Sequence, residues 1–429
     1  MKKQRKIYPH TFQKSKGVGV YLDYASSALA ESPNPGAIHE LGVKEKNKLE
    51  RARRIVAKIL NSHADEIIFT SGATESNNLA ILGLVYPYLT SPYSRGRKKR
   101  GGHKSILPHI VTTNIEHASV LEVCKHLEKT KEAEVTYVEV EKNGIIDPKK
   151  IKKALKPNTI LVSVMYANNE IGTIQPIVEI AKEIRHYKNL TRLRHPLLDK
   201  ERIGERCIFP LFHTDATQAI NYLPINVAKL GVDLLSFNSA KIYGPKGVGV
   251  LYIKKNTPIQ SIMFGGSQEF GLRPGTENVA LVTGLAKALE VTEKIKKKEV
   301  KRLTKLRDYF INEIVTNSAI AENLTNSKII LNGDKGQRLP NNVNMTIPNI
   351  PSDLLVIELS ARGIMASAKS ACKSGDGKAS HVIQAINPKA KDTDGSLRFS
   401  LGRFTTKKEI DYTVKTLSQI LTKLKKWYD

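Results

Sequence analysis

The stretch VDLLSFNSAKIYGPKGVG, residues 232–249, is the segment from which the fold can be worked out. Its apolar run from Val232 to Phe237 leads to a single lysine, Lys241, and a glycine-rich segment follows before a second apolar run, VLYIK, at 250–254. This pattern predicts a strand, a loop and a second strand, with the lysine at the edge of the loop. Desolvation beside the apolar run would make the amine of Lys241 nucleophilic, whereas the plainer alternative is a surface charge next to a turn.

The composition predicts a folded protein with more than one domain. The chain has 429 residues, and 40% of them are hydrophobic, which argues against global disorder. We see no apolar run near the roughly 18 residues of a membrane helix, and the basic N-terminus lacks the apolar segment of a secretory signal. Three cysteines are too few for a disulfide framework, so we expect a reducing, cytoplasmic location without membrane contact.

The formal net charge is +27, and much of it is concentrated in local basic runs. Two of these runs, at 91–104 and 190–207, have the character of inserted surface loops, and a third, at 294–307, predicts an exposed helix. Such charge could attract RNA or an acidic protein. Contact with RNA is not favoured, because the runs lack interleaved aromatic residues and any known nucleic-acid motif.

Strands alternate with helices from residue 67 to residue 253, which predicts a mostly parallel sheet with helices on both faces. Polar residues follow five of the predicted strands, namely Thr74, His117, Asn169, Asp215 and Lys241. The carboxyl ends of strands in an open α/β sheet face one crevice, so these side chains are expected to converge. A lysine with an acid partner is what pyridoxal phosphate (PLP) requires.

The segment DEIIFTSGATES, residues 65–76, predicts a strand from Ile67 to Thr70 and a helix that begins near Thr74. The helix N-terminus would present free backbone N–H groups and suit a phosphate, although Ser71 and Thr74 could simply be helix caps. Beyond residue 254 the pattern predicts a glycine-rich loop, a long helix from about Glu277 to about Asn317, and a smaller α+β region. Residues 396–406 are predicted to form a strand of that region, and a helix ends the chain.

Two of the cysteines have different settings. Cys124 falls on the apolar stripe of a predicted helix and is expected to be a core thiol. Cys372 lies in ASAKSACKSGDGKASHV, a loop of small and polar residues, and no apolar periodicity explains it. A free cysteine on such a loop is a candidate nucleophile; the alternative is an incidental exposed thiol.

Taken together, these segments resemble the cysteine desulfurases that serve iron–sulfur assembly, in the class V aminotransferase branch of PLP fold type I. The resemblance covers nearly the whole chain and is carried, in the family's order, by SGATESNN, EHASV, NNEIGTIQPI, HTDATQA, AKIYGPKGVG, RPGTEN, SACKS and RFSLGRFT. It implies a large PLP-binding α/β domain at 19–270, with a seven-stranded, mostly parallel sheet. It also implies a small α+β domain, made from 1–18 and 271–429, that carries the cysteine loop.

The resemblance also implies roles for individual residues around the cofactor ring. Lys241 resembles the lysine that holds PLP as a Schiff base, and Asp215 would pair with the ring nitrogen. Gln218 and Asn169 would hydrogen-bond the phenolic oxygen, and His117 would stack on the ring and move protons.

The phosphate would be held by a second group of residues. Ala73 and Thr74 would contribute a backbone N–H and a hydroxyl, and Asn238 and Ser239 would take positions that normally help to bind the cofactor. Thr276, in RPGTEN, would reach the phosphate of a partner subunit, which implies a homodimer.

The substrate and the sulfur have their own implied contacts. Arg398 would bind the substrate carboxylate as a bidentate fork, with help from Asn34. Cys372 would accept sulfur from L-cysteine as a persulfide and pass it to an acceptor protein, such as an iron–sulfur scaffold or a tRNA-thiolation carrier. No metal-ligand set is predicted, apart from contact between Cys372 and an iron–sulfur cluster or its scaffold.

The sequence departs from the family pattern in two places. The family usually has Ser-(Gly/Ala)-His before the lysine, and this chain has Asn238-Ser239-Ala240. We expect weaker retention of PLP, so an Ala240→His variant should bind PLP with a lower dissociation constant than the wild type. The segment from Leu29 to Pro33 is also short, because a helix that the family usually carries there is missing.

Two alternatives are kept for comparison. One is a related class V enzyme such as a selenocysteine lyase, since preference for sulfur over selenium cannot be deduced from these residues. The other is a sulfur-relay or assembly platform whose altered phosphate site has impaired catalysis. The presence of Lys241, Asp215, His117, Cys372 and Arg398 argues against the platform.

Overall fold

The computed structural model describes residues 23, 25–27, 32–90, 106–194, 209–316, 328–368, 380–390 and 394–428. Most of the two basic insertions, Cys207 and Cys372 lie outside these ranges. Among the described residues, no helix combines the length and the apolar character needed to cross a membrane.

Ten strands form two sheets in the described part of the chain. The larger sheet has the spatial order β1-β7-β6-β5-β4-β2-β3, and the smaller one has the order β10-β9-β8. In chain order the strands are β1 (Ile67–Thr70), β2 (His109–Thr113), β3 (Glu134–Val138), β4 (Thr159–Ser163), β5 (Leu211–Asp215), β6 (Leu234–Asn238), β7 (Gly249–Ile253), β8 (Ile330–Leu331), β9 (Asn342–Ile347) and β10 (Gly395–Ser400). The run from β6 to β3 is parallel, and only β7 pairs antiparallel with its neighbours β6 and β1. The mostly parallel sheet predicted from the sequence is therefore confirmed.

Helices join and cover these strands. In chain order the described α-helices are α1 (Glu40–Leu60), α2 (Ala73–Thr90), α3 (Ala118–Lys129), α4 (Pro148–Ala154), α5 (Ile177–Arg194), α6 (Val227–Leu230), α7 (Val279–Thr316), α8 (Ser352–Ser360), α9 (His381–Ile386) and α10 (Lys407–Tyr428). The predicted strand at 396–406 is shorter than expected, because it ends at Ser400 and a turn precedes α10.

Both faces of the larger sheet are buried, as parallel sheets require. Successive residues of β1, Ile67 and Ile68, belong to separate apolar cores, because side chains alternate across a strand. Helices α1 and α5 contribute to the first core, and α2 and α3 contribute to the second. Cys124 of α3 is fully buried in the second core, and burial raises the pKa of its thiol to about 12. Its predicted role as a core thiol is confirmed.

Helix α7 links the larger core to that of the smaller sheet. Its first part, including Val282 and Leu289, packs in the core of the larger sheet, and its last part, including Phe310 and Ile314, packs with β9 and β10. The small sheet therefore has its own apolar core. A division of the chain into a large domain (19–270) and a small one (271–429, with 1–18) remains a proposal, and the shared helix α7 is the element that would hold the two together.

Two buried histidines connect neighbouring strands of the larger sheet. The ring of His213, on β5, lies 2.9 Å from Ser163 Oγ on β4 and 2.9 Å from Ser236 Oγ on β6. Burial lowers the pKa of His213 to about 4. A neutral imidazole satisfies both hydroxyl groups at once, whereas the charged form would be buried without a counterion in direct contact.

His109, at the start of β2, is placed in the same way. Its ring nitrogens lie 2.8 Å from Thr159 Oγ1 and 2.8 Å from Thr136 Oγ1. Burial, together with the nearby charge of Lys156, lowers the pKa of His109 to about 4. Both histidines are therefore neutral in the folded protein at physiological pH.

We expect these two histidines to make folding stability depend on pH. Their pKa in the folded state lies below the ordinary value, so the stabilisation is complete above about pH 6.5 and is lost as the pH falls towards 4. Each should account for about 3 kcal/mol of the free energy of unfolding across that interval. Urea unfolding of His213→Gln at a series of pH values should therefore show a flatter profile than the wild type. An unchanged profile between pH 6.5 and 4 would contradict the assignment.

Candidate active site

A cavity of about 330 Å³ lies at the carboxyl ends of the parallel strands, next to the end of β10. Most of the residues singled out in the sequence line it: Ala73, Thr74, His117, Asn169, Asp215, Gln218, Asn238, Lys241 and Arg398. These residues come from six separate segments of the chain. The convergence expected from strands that end at one edge of a sheet is therefore found.

The N-terminus of α2 forms one wall of the cavity. The helix begins at Ala73, directly after the Ser71-Gly72 turn, and the Ser71 backbone N–H donates to Glu75 Oε2 over 2.7 Å. Strand β7 passes very close to this turn, because a Cβ atom on Gly249 would lie 2.6 Å from the backbone of Gly72. Glycine at 249 therefore allows the helix N-terminus, with its free N–H groups, to face the cavity.

Asp215 is the last residue of β5 and is only 6% exposed. Its Oδ1 accepts from the Thr217 backbone N–H at 2.9 Å, and its Oδ2 accepts from Asn77 Nδ2 at 2.8 Å. Two hydrogen bonds to different oxygens fix the plane of the carboxylate at the floor of the cavity. This arrangement suits an anionic acceptor for a protonated ring nitrogen.

A second carboxyl group, Glu116, lies behind the cavity. Its oxygens accept from the Met165 backbone N–H at 3.0 Å and from Thr113 Oγ1 at 2.6 Å. Burial raises the pKa of Glu116 to about 8, so this group is largely protonated at neutral pH.

His117 occupies the N-cap position of α3 and lines the cavity. Its Nδ1 accepts from the Ser119 backbone N–H at 3.1 Å, which fixes the ring at the start of the helix. The other ring nitrogen, Nε2, is then left for a ligand in the cavity. A junction histidine can thus be a cap and a cavity residue at once, although a lone junction histidine is more often a simple cap.

Lys241 lies in a short 3₁₀ turn, Ala240–Ile242, that follows β6. Its backbone N–H donates to Asn238 Oδ1 at 3.1 Å, and its carbonyl oxygen accepts from Asn221 Nδ2. The expected desolvation of Lys241 is wrong, because the residue is exposed at the cavity wall. The apolar residues of β6 point into the cores, so they do not cover the amine that follows the strand.

Tyr243, the residue after this turn, connects the Lys241 segment to the loop that follows β10, the strand that bears Arg398. Tyr243 adopts a left-handed conformation with φ +64°, and the Arg403 guanidinium lies 4.1 Å from the centre of its ring. Tyr243 Oη also accepts from the Arg403 backbone N–H at 3.0 Å. The lysine segment and the loop after β10 are therefore joined at the cavity rim.

Arg398, on β10, faces the cavity from the side of the smaller sheet. Its Nη1 donates to the Asn169 carbonyl at 3.1 Å, and its Nη2 donates to Ser367 Oγ at 3.2 Å. These bonds hold the guanidinium next to the loop after β4. A guanidinium at the cavity wall is the group that best matches a carboxylate in geometry and charge.

Three predicted site residues do not line the cavity. Ser239 is fully buried, and its Oγ lies where a side chain on Gly244 would be, 2.2 Å from the position of that Cβ. Asn34 uses its side-chain oxygen to accept from the Gly36 N–H at 2.8 Å, and Thr276 is exposed. Their predicted contacts with the cofactor, the partner's phosphate or the substrate therefore remain predictions.

Cys372 lies outside the described residues, as does its predicted contact with a cluster or scaffold. The segments on either side of it are placed beside the cavity. Ser367 pairs with the backbone of Arg398, and the Ser380 hydroxyl donates to Glu170 in the loop after β4. Within the described ranges, no group of three or more His, Cys, Asp or Glu side chains is arranged to hold a metal ion.

Among the cavity residues that sequence reasoning missed, two carry unpaired polar atoms. Thr217 Oγ1 and Asn341 Oδ1 line the cavity and are buried without a hydrogen-bond partner among the described residues. Such unpaired polar atoms are uncommon in folded proteins and fit a site built for a polar ligand. Thr217 stands in the HTDATQA motif and could have been found there, whereas Asn341 comes from the distant segment before β9.

The donor set fits PLP. A helix N-terminus with the Thr74 hydroxyl suits a phosphate, Asp215 suits a protonated pyridine nitrogen, and Lys241 supplies the amine. The unpaired Thr217 Oγ1 and Asn341 Oδ1 add further polar groups on the cavity wall.

Comparison with known proteins agrees with this site. The family model for aminotransferase class-V matches residues 20–193 and 205–413. A cysteine desulfurase IscS of Dictyoglomus turgidum is 41% identical over 95% of this chain and 95% of its own length. Another, of Methanosarcina thermophila, is 40% identical over 91% of this chain and 86% of its own length.

Solved structures give the same relationship. A NifS-like protein, 33% identical, superposes with a TM-score of 0.73 over 91% of this chain and 92% of its own. SspA in complex with cysteine, 30% identical, superposes with a TM-score of 0.64 over 87% of this chain and 92% of its own. The chain belongs to the aminotransferase class-V family. Within it, the relatives place the chain among the cysteine desulfurases, so the predicted family and fold class are confirmed.

Proposed function

We propose that the protein converts L-cysteine to L-alanine and transfers the sulfur, through a persulfide on Cys372, to an acceptor protein. The observation that carries this proposal is the meeting of Asp215, Lys241 and the α2 N-terminus around one cavity, with Arg398 opposite. The acceptor would serve iron–sulfur assembly or tRNA thiolation. Thiol chemistry of this kind suits the reducing cytoplasm.

PLP, when bound, supplies an electron sink that makes the Cα–H bond of an amino acid acidic. The N–H groups at Ala73 and Thr74 would hold its phosphate, and Asp215 would accept from its ring nitrogen. His117 would lie on the ring face, and the side chains of Gln218 and Asn169 would donate to its phenolic oxygen.

Lys241 is assigned two tasks. The backbone of its segment is fixed by the bonds to Asn238 and Asn221. Its amine is exposed at the cavity wall, so it would be available to the cofactor carbonyl without movement of buried side chains. Once freed, the amine can take the proton from the substrate Cα and return it elsewhere on the substrate. The side-chain oxygen of Asn238 accepts from the Lys241 backbone N–H, so its amide nitrogen would be the group that donates to the cofactor.

Cys372 would attack the substrate sulfur as a thiolate. The substrate C–S bond breaks as the new S–S bond forms, the carbon takes up protons to become alanine, and the enzyme keeps the sulfur as Cys–S–SH. The placement of Ser367 beside Arg398 and of Ser380 beside Glu170 supports this role, because Arg398 lines the cavity and Glu170 directly follows Asn169, which also lines it.

A product assay tests the proposal. The wild type should release alanine and, with a reductant, sulfide from L-cysteine, while Cys372→Ala should bind PLP and release neither. Cys124→Ala is the matched control, because that thiol is buried in the core and should not affect turnover. Release from selenocysteine only would favour a selenocysteine lyase. PLP binding in neither protein would favour a catalytically impaired platform.

We expect Arg398 to set the affinity for the substrate carboxylate. Arg398→Gln removes a charge-assisted, two-bond contact, and such contacts contribute about 1.5–3 kcal/mol each. The KM for L-cysteine should therefore rise by roughly 10- to 100-fold, with a smaller change in kcat. Steady-state kinetics would measure this, with Arg362→Gln as a control, since Arg362 pairs with Glu358 away from the cavity. An unchanged KM would argue that another group binds the carboxylate.

We also propose a homodimer in which Thr276 reaches the phosphate site of the partner. Thr276 is exposed and lies outside the cavity of its own chain. The same loop region exposes Phe264 (99%) and Phe270 (57%), which is unusual for side chains that only face water. A solution mass twice that of one chain is expected.

A further inference from the structure

A chain of hydrogen bonds connects Asp215 to His117 beneath the cavity. Asn77 Nδ2, on α2, lies 2.8 Å from Asp215 Oδ2 and 2.8 Å from Ser119 Oγ. Ser119 Oγ, on α3, lies 2.8 Å from His117 Nδ1. Asn77 is fully buried and Ser119 is 8% exposed, so water does not compete freely for these bonds.

The carboxylate fixes the direction of this chain at its first link. The amide nitrogen of Asn77 faces the carboxylate and donates one hydrogen to Asp215 Oδ2, and the second hydrogen of that nitrogen goes to Ser119 Oγ. Asn77 Oδ1 is then left buried without a hydrogen-bond partner among the described residues. Leaving a buried acceptor unpaired is unfavourable, and a flipped amide would be worse because it would set its oxygen against the carboxylate.

The direction continues through Ser119 to the histidine. The Ser119 backbone N–H can only donate, and it points at His117 Nδ1 over 3.1 Å, so Nδ1 is an acceptor. Ser119 Oγ already accepts from Asn77, so its own hydrogen is free to be donated to the same Nδ1. The proton of the neutral ring is therefore on Nε2, the nitrogen that is left for the cavity.

We infer that Asn77 and Ser119 are positioning residues that link the Asp215 carboxylate to the ring of His117 through hydrogen bonds. In this arrangement Asn77 orients the carboxylate, and Ser119 holds His117 as the Nε2–H form. The role assigned to this tautomer rests on the proposed function, because Nε2–H lies in the plane of the ring and presents a donor, rather than an acceptor, to a ligand in the cavity. His117 can then donate a hydrogen bond from Nε2 while its other nitrogen stays fixed as the cap of α3.

The test uses Asn77→Leu, which removes both donors at nearly constant volume, and Ser119→Ala, which removes only the hydroxyl. Asn332→Leu is the matched control. Asn332 is an equally buried asparagine whose Nδ2 also bonds two acceptors, Asn344 Oδ1 and Thr346 Oγ1, in the small sheet. Its substitution should lower stability alone.

The first readout does not need cofactor. Protein labelled with ¹⁵N only at histidine, with His117→Gln to assign the signal, should show His117 as the Nε2–H tautomer in wild type and Asn332→Leu. Asn77→Leu frees Ser119 Oγ to accept from Nδ1–H and should show a mixture of tautomers, whereas Ser119→Ala keeps the backbone N–H that donates to Nδ1 and should retain the Nε2–H form. A wild-type ring with its proton on Nδ1, or an unchanged tautomer in Asn77→Leu, would overturn the inference.

The second readout is the loaded enzyme. Removal of a residue that orients a functional group commonly costs about 10- to 100-fold, so kcat should fall by that factor in Asn77→Leu and by less in Ser119→Ala, with KM little changed. A kcat equal to that of Asn332→Leu would overturn the inference. If Asn77→Leu fails to fold, Ser119→Ala decides the question alone. A wild type that does not bind PLP would refute the proposed function. The tautomer measurement needs no PLP, so it would still test the hydrogen-bond chain from Asp215 to His117.

Discussion

Replacement of Lys241 by alanine is expected to reduce alanine release by on the order of 10³-fold or more, as is usual when a covalent catalytic group is lost. Under the proposed function the exposed amine would both hold the cofactor and move the Cα proton, and we expect no neighbouring side chain to replace it. The absorbance band of lysine-bound cofactor should disappear as well.

Lys246→Ala is the matched control for this prediction. Lys246 lies five residues further along the same glycine-rich loop and is exposed, but it does not line the cavity. Its removal should leave turnover and the absorbance band close to those of wild type. If Lys241→Ala retained turnover, or if Lys246→Ala lost it, the assignment of the catalytic amine would be wrong.

Replacement of Arg53 by methionine should lower the free energy of unfolding by about 3–5 kcal/mol, the usual cost of leaving one partner of a buried ion pair alone. Arg53 Nη1 and Nη2 each lie 2.7 Å from an oxygen of Glu269, and their side chains are 3% and 1% exposed. Glu269 also accepts from the Phe69 backbone N–H at 2.8 Å. The pair thus joins α1, β1 and the loop that leads to Thr276.

A double-mutant cycle measured by urea unfolding separates this coupling from the loss of packing. The Arg53→Met, Glu269→Leu double variant should cost less than the sum of the two single variants, because no charge is left buried. Lys44→Met, which breaks the exposed pair with Glu40, should have no measurable effect. Additive costs, or a small effect of Arg53→Met alone, would show that the pair does not hold these elements together.

Much of the site could be predicted because it depends on strand ends. Asp215 is the last residue of β5, Asn238 is the last residue of β6, and His117 caps α3, the helix that follows β2. A correct strand assignment was therefore enough to bring these three residues together. The edge strand β3, Glu134–Val138, was not predicted individually. It is half-exposed and lacks the continuous apolar run that marks the central strands.

The remaining features depend on contacts that no local pattern encodes. The exposure of Lys241 follows from where the cores lie, and the burial of Ser239 follows from the close approach of Gly244. Asn77 and Ser119 stand in motifs that the sequence reveals, but their link requires the packing of α2 against α3 beside Asp215. Asn341 reaches the cavity from the small sheet, far away in sequence.

The central claim is that this cavity holds PLP with Lys241 bound to it. The most direct measurement is borohydride reduction of the PLP-loaded protein, followed by proteolysis and mass spectrometry of the labelled peptide. One phosphopyridoxyl label per chain is expected, on Lys241, and none in Lys241→Ala. A label on another lysine, or no label on a folded protein saturated with PLP, would contradict it.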